Sequence, residues 1–459
     1  LGLRLRHEPP CVAVLGLARS GWAAASLLAA RTAARLLLLD RVPGASTEER
    51  MSGLRRSAHA VELRAGEHDA QWLDEIDLII KSPGVDPRAP FVQAAVHAGV
   101  PVVGELELGA LAARGPIGTI SGTNGKSTTT AWTGDMMRRS GVAVQVVGNI
   151  GRPICEGVQE DPDAVFVAEV SSFQLEDSSR LHPRVATLLN LSPDHLDRHE
   201  SFAAYRAAKL RMFQNQTAKD VAVLGDGPEM DELARVVVPA RCLRVQMKDR
   251  GAEGCVLRDD RIWIRDRGLE VPLQPRARLS LPGRHNLENA MAAAATAHAL
   301  GATPDAIAAS LADFGGLPHR LEHVGTIAGI ECINDSKATN VGSLEVALQA
   351  FDRPVRLIAG GVPKGQGFAP LATLVAQRTS GVYLIGEAAA QMEREWSTAR
   401  SIRCPSLEAA LDAALEDARV GDRILLSPGC ASFDMFRDYE DRGDRFRALV
   451  QERVRERDR

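Results

Sequence analysis

One seven-residue run constrains the fold of this chain more than any other. Gly122-Thr-Asn-Gly125-Lys126-Ser127-Thr128 follows the apolar segment Pro116-Ile-Gly-Thr-Ile120 and opens a helical stretch. A glycine-rich turn between a strand and a helix N-terminus cradles phosphate, because backbone N–H groups and the positive end of the helix dipole converge there. Lys126 can reach the β- and γ-phosphates of a nucleotide, and the hydroxyl of Ser127 or Thr128 can ligate Mg²⁺. The two glycines stand closer together than in the common P-loop. The run predicts nucleotide binding through Gly122, Thr123, Asn124, Gly125, Lys126, Ser127 and Thr128.

A strand, a glycine turn and a helix also open the chain. Cys11-Val-Ala-Val-Leu-Gly16 leads through Leu-Ala-Arg-Ser-Gly21 into the helical Trp22 to Ala30, and Arg35-Leu-Leu-Leu-Leu-Asp40 follows as a second strand. Gly16 permits the tight turn and Gly21 lets the helix approach the strand, but Ala18 replaces the middle glycine of the dinucleotide fingerprint. Asp40 stands where an acidic side chain can reach a ribose hydroxyl. A nucleotide-binding turn and an ordinary βα turn both fit these residues.

At 459 residues the chain exceeds one ordinary core, and about three domains are expected. Boundaries fall near Gly104 and after Phe314, where the strand and helix pattern restarts around Glu331-Cys-Ile-Asn334. The pattern predicts α/β architecture throughout, with a Rossmann-like N-terminal domain over residues 1–104. A central P-loop ATPase-like domain with a mainly parallel sheet covers 105–315, and a Rossmann-like C-terminal domain 316–459.

With 55 basic and 59 acidic residues, the net charge of −4 gives no bulk field to attract nucleic acid. The seven scattered cysteines form no CxxC pair and read as reduced thiols of a cytoplasmic protein. No secretory leader is legible at Leu1, and no apolar run is long enough to insert in a membrane.

Further polar clusters sit at strand ends. Ala164 to Ala168 is a buried strand that ends in Glu169, a candidate Mg²⁺ ligand or a capped strand end. Asp194-His195-Leu-Asp197-Arg198-His199 follows the strand Val185 to Leu189, and His195 can bind metal, orient a carboxylate or serve structure alone. Asn334-Asp335-Ser336-Lys337-Ala-Thr339-Asn340 gathers donors, an acid and a cation after a strand, the pattern of a substrate-contacting loop or of a solvated turn. By composition, Lys209 in Tyr205-Arg-Ala-Ala-Lys209 reads as an exposed helix lysine.

In this order, these motifs together with Gly283-Arg-His-Asn286-Leu-Glu-Asn289 and Gly-Leu-Pro-His319-Arg320 resemble the Mur ligases of peptidoglycan precursor synthesis, in particular their glutamate-adding members, over nearly the whole chain. The resemblance implies an ATP- and Mg²⁺-dependent ligase that joins glutamate to UDP-N-acetylmuramoyl-L-alanine through an acyl phosphate. It implies that Arg19, Ser20, Asp40, Ser82, Asn149 and His195 hold the UDP-sugar. Lys126, Asn286, Asn289, Arg320, Asp335 and Lys337 would contact ATP, with Ser127, Glu169 and His195 around two Mg²⁺ ions. Lys209 would be carbamylated and join Lys126, Glu169 and His195 in catalysis, against its bland composition reading. Thr339, Lys364, Ser432, Phe433 and Tyr439 would bind glutamate.

The chain departs from the family at Tyr439, where phenylalanine is familiar, and at Pro363 in Gly360-Gly-Val-Pro363-Lys364, where an acidic residue is usual. Both touch the amino-acid pocket, so L-glutamate stands as an alternative to D-glutamate. The resemblance also implies a monomer acting on small molecules. Outside it, an NAD(P)-dependent dehydrogenase, a nucleic-acid ATPase, a non-catalytic nucleotide sensor and a folylpolyglutamate synthetase are the rivals that binding and phosphate-release assays separate.

Overall fold

The computed structural model describes residues 6–42, 44, 47–56, 60–236, 238–281, 283–363, 365 and 367–457. It divides into two compact units, Leu1–Phe314 and Gly315–Arg459.

The first unit begins with a parallel sheet built from β1 (Cys11–Leu15), β2 (Arg35–Asp40), β3 (Ala60–Ala65), β4 (Leu78–Lys81) and β5 (Val102–Gly104), ordered β3-β2-β1-β4-β5. Consecutive leucines of β2 divide between two cores: Leu36 and Leu38 pack with Trp22, Leu27 and Leu28, while Leu37 and Leu39 pack with Leu73, Phe91 and Val92. A strand buried on both faces needs such an unbroken apolar run. Gly21 is required by close approach, since a Cβ there would lie 1.9 Å from the carbonyl oxygen of Gly16.

Strand order reverses between β1 and β4, and at such a switch point the loops leave a crevice beyond the strands' C-terminal ends. Here the crevice is framed by the Gly16 turn and the loop Ser82-Pro83-Gly84, joined by Ser82 Oγ donating to Gly16 O at 2.7 Å.

The unit continues with nine strands: β6 (Ile117–Ser121), β7 (Val144–Gly148), β8 (Val165–Glu169), β9 (Val185–Leu188), β10 (Val221–Leu224), β11 (Arg241–Gln246), β12 (Gly254–Arg258), β13 (Arg261–Asp266) and β14 (Leu269–Pro275). Their order is β14-β13-β12-β11-β10-β9-β6-β8-β7. Pairing is parallel from β7 to β12, then β12 to β14 form an antiparallel meander. Its two-residue turns, Asp259-Asp260 and Arg267-Gly268, all have positive φ, the geometry that matches strand twist. The Ala-rich segment 290–299 belongs to the buried helix Arg284–Ala299.

The second unit has a six-stranded sheet: β15 (Glu322–Ile327), β16 (Ile330–Asn334), β17 (Val355–Gly360), β18 (Thr379–Ile385), β19 (Ser401–Arg403) and β20 (Arg423–Leu426), ordered β15-β16-β20-β17-β18-β19. Only β15 is antiparallel. All seven cysteines are free thiols. Among the described residues no helix is long and apolar enough to cross a membrane.

Candidate functional site

Three neighbouring parallel strands, β9, β6 and β8, deliver their C-terminal ends to one place, and each carries one of the motifs. After β6 the chain turns through Gly122 and Gly125 into the helix Lys126–Arg139. Gly125 has φ 83°, and a Cβ on it would lie 2.2 Å from Asn289 Oδ1, so the helix Arg284–Ala299 seats its amide directly against the turn. From β9, Asn190 clamps the turn's first half. Its Oδ1 accepts from the Thr123 N–H at 3.1 Å and the Asn124 N–H at 2.9 Å, and its Nδ2 donates to Asn124 O at 3.2 Å. Those two amides are taken up in shaping the loop.

Lys126 folds back so that Nζ donates to Gly122 O at 3.0 Å and Thr123 O at 2.7 Å. Lys209 reaches the same place from the helix Phe202–Leu210. Its Nζ donates to Gly122 O at 2.8 Å and Ser121 Oγ at 3.3 Å and lies 4.8 Å from the Tyr205 ring centroid. Only 2% of Lys209 is exposed. Burial, with the nearby Lys126 cation, pulls its ammonium down to about 7. The exposed helix lysine read from composition is thus a buried amine beside the phosphate loop. Tyr205 hydrogen-bonds Thr123 Oγ1 at 3.0 Å, so one helix face joins both residues to the loop.

At the end of β8, Glu169 is buried, with Oε1 accepting from Asn149 Nδ2 at 2.7 Å. Its Oε2 is buried with no hydrogen-bond partner among the described residues. An orphaned carboxylate oxygen beside a phosphate loop fits a divalent cation. Among the described residues no three or more His, Cys, Asp or Glu side chains converge as a metal cage.

A cavity of about 230 Å³ joins the pieces, lined by Lys126, Asn149, Ser171, Ser172, Phe173, His195, Tyr205 and Lys209. His195 is half exposed, has φ 51°, and sets its ring edge-on to Phe173 at 5.0 Å. Its neighbour His199 is buried instead between Glu176 Oε1 at 3.1 Å and Ser172 Oγ at 2.9 Å.

The residues expected at the UDP-sugar end lie at or just beyond the C-terminal ends of β1, β2 and β4, save Asn149 and His195 in the cavity. Asp40 Oδ2 accepts from the Leu17 N–H at 2.6 Å and Oδ1 from the Val42 N–H at 3.0 Å, so this carboxylate braces the Gly16 turn. Arg19 and Ser20 open the helix Arg19–Arg31, and Arg19 also lines a groove of about 460 Å³ that runs between that helix, Arg50 and Gln159.

In the second unit, β16 and β20 bring Asp335 and Ser427 together, with Ser427 Oγ donating to Asp335 Oδ2 at 2.7 Å. Burial pushes the Asp335 carboxyl up to about 7. Lys337 Nζ lies 5.8 Å from the Tyr439 ring centroid, Thr339 is part-buried, Ser432 is buried and Phe433 is exposed. Arg320 and the loop Asp335 to Lys337 follow one another through Lys337 N donating to His319 O at 3.0 Å. Lys364 lies outside the described residues.

Arg442, unassigned by sequence, is wholly buried, and its guanidinium donates to Ser336 Oγ, Ser336 O and Cys430 O at 2.9, 2.9 and 3.2 Å. Arg198 stands inside the Asp194 to His199 cluster but received no role of its own there, and neither did Asn190 or Phe173. Spacing alone pointed to one overlooked partner, since Tyr205 and Lys209 stand four apart on a helix.

The Mur ligase MurD-like N-terminal domain matches residues 11–104, the Mur ligase middle domain 120–297, and the Mur ligase glutamate ligase domain 319–430. The UDP-N-acetylmuramoylalanine–D-glutamate ligase of Geobacter metallireducens is 43% identical over 445 residues, 96% of each chain. The protein of the same name from Pelobacter propionicus is 42% identical over 446 residues, 96% of this chain and 98% of its own. Among solved structures, the MurF ligase of Thermotoga maritima in complex with ADP aligns with a TM-score of 0.57 at 15% identity, over 95% of this chain and 99% of its own.

Proposed function

The chain belongs to the Mur ligase family, and from that premise we propose the reaction its residues perform: ATP-driven amide formation between UDP-N-acetylmuramoyl-L-alanine and D-glutamate. The reading rests above all on the cavity where Lys126, Asn149, His195 and Lys209 meet at the phosphate loop. Relatives at 38–43% identity are named for D-glutamate, which favours that isomer over L-glutamate. Thiols kept free of disulfides support a cytoplasmic setting.

A carboxylate resists attack by an amine, so its oxygen first takes the γ-phosphoryl group of ATP. The bond from the γ-phosphorus to the β,γ-bridging oxygen breaks, ADP leaves, and an acyl phosphate results. The neutral α-amine of glutamate then attacks the acyl carbon, the C–O bond to phosphate breaks, and the amide remains as the nitrogen's proton leaves with the phosphate. In this scheme Lys126 shifts from Gly122 O and Thr123 O to the phosphates and balances charge developing on the oxyanion. Asn286 and Asn289 on one helix, with Arg320, Asp335 and Lys337, complete the ATP contacts, and Arg19, Ser20, Asp40 and Ser82 hold the acceptor's nucleotide end. Thr339, Lys364, Ser432, Phe433 and Tyr439 would contact glutamate.

Ser127, Glu169 and His195 would hold Mg²⁺, whose chemistry here is to neutralise phosphate charge. The unpartnered Glu169 Oε2 supports that assignment. Lys209, neutral at a pH near its shifted value, would attack CO₂ through Nζ, lose a proton and become an anionic carbamate facing the same ions.

Phosphate release from ATP with Mg²⁺, UDP-N-acetylmuramoyl-L-alanine and either glutamate isomer tests the reading. Release is expected with D-glutamate. Release with L-glutamate instead would reassign the isomer, and release only with a folate acceptor would overturn the acceptor.

A further inference from the structure

Two ionic clamps fasten the loop after β4 to the short helix Ser172–Glu176, across the first unit. Lys81 Nζ donates to Val85 O at 2.9 Å and pairs with Asp177 Oδ2 at 2.8 Å. Arg198 makes the second clamp, with Nη1 donating to Pro83 O at 3.3 Å and Nη2 pairing with Glu176 Oε2 at 3.2 Å. Its Cζ lies 4.2 Å from the centroid of the Phe173 ring, and 13% of the side chain is exposed. Phe173 in turn meets His195 edge-on at 5.0 Å and stacks with His199 at 5.5 Å. One guanidinium therefore touches both the crevice wall at the β1/β4 switch point and the aromatic wall of the catalytic cavity.

We propose that Arg198 is a positioning residue that fixes the Phe173–His195 wall relative to the acceptor crevice, so that an acceptor held by its nucleotide end presents its carboxylate to the phosphate loop. The proposal rests on the acceptor reading given above. Binding energy gathered far from the reacting atoms becomes rate only through a rigid link between the two places. A planar fork suits that link, because it can stack on a ring and donate along two directions at once. The crevice itself has other supports: Lys81 on Asp177 and Val85 O, and Ser82 on Gly16 O. Loss of Arg198 thus leaves the acceptor site built while the wall loses its brace, and a displacement of about 1 Å at the reacting end can cost on the order of 100-fold in rate.

The test compares wild type, Arg198→Met and Arg198→Lys by calorimetric binding of UDP-N-acetylmuramoyl-L-alanine, by kcat for phosphate release, and by thermal melting. We expect both variants to keep the acceptor Kd within about 3-fold of wild type while kcat falls at least 10-fold. Kd and kcat worsening in parallel would make Arg198 part of the acceptor site and overturn the proposal, as would variants that turn over like wild type. If Arg198→Met melts below the assay temperature, Arg198→Lys, which keeps the charge and loses the fork, is judged by the same outcomes. A wild-type protein that neither binds nor consumes this acceptor would sink the functional reading instead, which keeps the two failures apart.

Discussion

Lys126 and Lys209 donate to the same oxygen, with their ammonium nitrogens 3.0 and 2.8 Å from the carbonyl of Gly122. Two cations converging on one acceptor repel, and the more buried of them yields its proton more readily. Lys209 titrates near 7 for this reason, after the larger effect of burial.

Uptake of CO₂ by Lys209 needs the neutral amine, so the ¹³C carbamate signal from labelled bicarbonate should grow as pH rises from 6 to 8. Lys126→Met removes the neighbouring cation and should move that midpoint upward, while phosphate release falls by at least about 1000-fold for want of the phosphate-loop lysine. A midpoint that stays put or moves down would show that the two ammoniums do not interact. Stability carries the same sign. In CO₂-depleted buffer the unfolded chain holds a proton on Lys209 from about pH 7 to 10 that the folded chain lacks, so unfolding free energy should rise across that window, and Lys209→Met should lack this rise.

Glu169 offers a second test, because its Oε2 is buried without a hydrogen bond. Glu169→Gln keeps the size of the side chain and its Oε1 acceptor but puts an amide nitrogen, which does not ligate a cation, at the place of Oε2. The extra stabilisation that Mg²⁺ adds to ATP binding should therefore shrink. Differential scanning fluorimetry with and without Mg²⁺ reads it. An undiminished Mg²⁺ effect would remove Glu169 from the metal site.

What the sequence made legible follows from the range of each interaction. The phosphate loop and the leucine run of β2 are local patterns, and a parallel strand buried on two faces declares itself in consecutive residues. The meander β12 to β14 escaped notice because its turns are Asp-Asp and Arg-Gly rather than the familiar Asn-Gly, so only the backbone's positive φ reveals them. Lys209 read as an exposed lysine from composition because burial is decided by Tyr205, Ser121 and Gly122, the last two nearly 90 residues away. Arg442 is one arginine among many, and Arg198, although it stands inside the Asp194 to His199 cluster, carries no local mark that separates a brace from a solvated charge.

Arg442 illustrates the cost of such a brace. Its donors satisfy Ser336 Oγ, Ser336 O and Cys430 O inside the second unit, which ties the loop after β16 to the loop after β20. Arg442→Met removes these buried bonds from a charged donor at once, each contributing about 1.5–3 kcal/mol. We expect a urea transition shifted by at least about 3 kcal/mol and a raised KM for glutamate, since Ser432 sits on the tethered loop. Arg442→Lys should recover little, because an ammonium cannot span the three acceptors. A variant within about 1 kcal/mol of wild type would contradict the brace, that threshold lying below the about 1.5–3 kcal/mol of one such bond.

Asp335 makes the opposite pH prediction from Lys209. Burial raises its carboxyl to about 7 even though Ser427 Oγ and the Leu321 N–H, at 2.7 and 3.2 Å, favour the anion. The folded chain then keeps a proton between about pH 4 and 7 that the unfolded chain releases, so Asp335 contributes stability at low pH that is lost as pH rises through 7. Asp335→Asn cannot titrate, and the difference between the two proteins isolates this one group from every other titrating side chain. Urea midpoints at pH 4.5, 5.5, 6.5 and 7.5 should show wild type losing ground steadily against Asp335→Asn. A difference that stays flat over the series would mean that Asp335 is already ionised in the folded protein and that its partners outweigh burial.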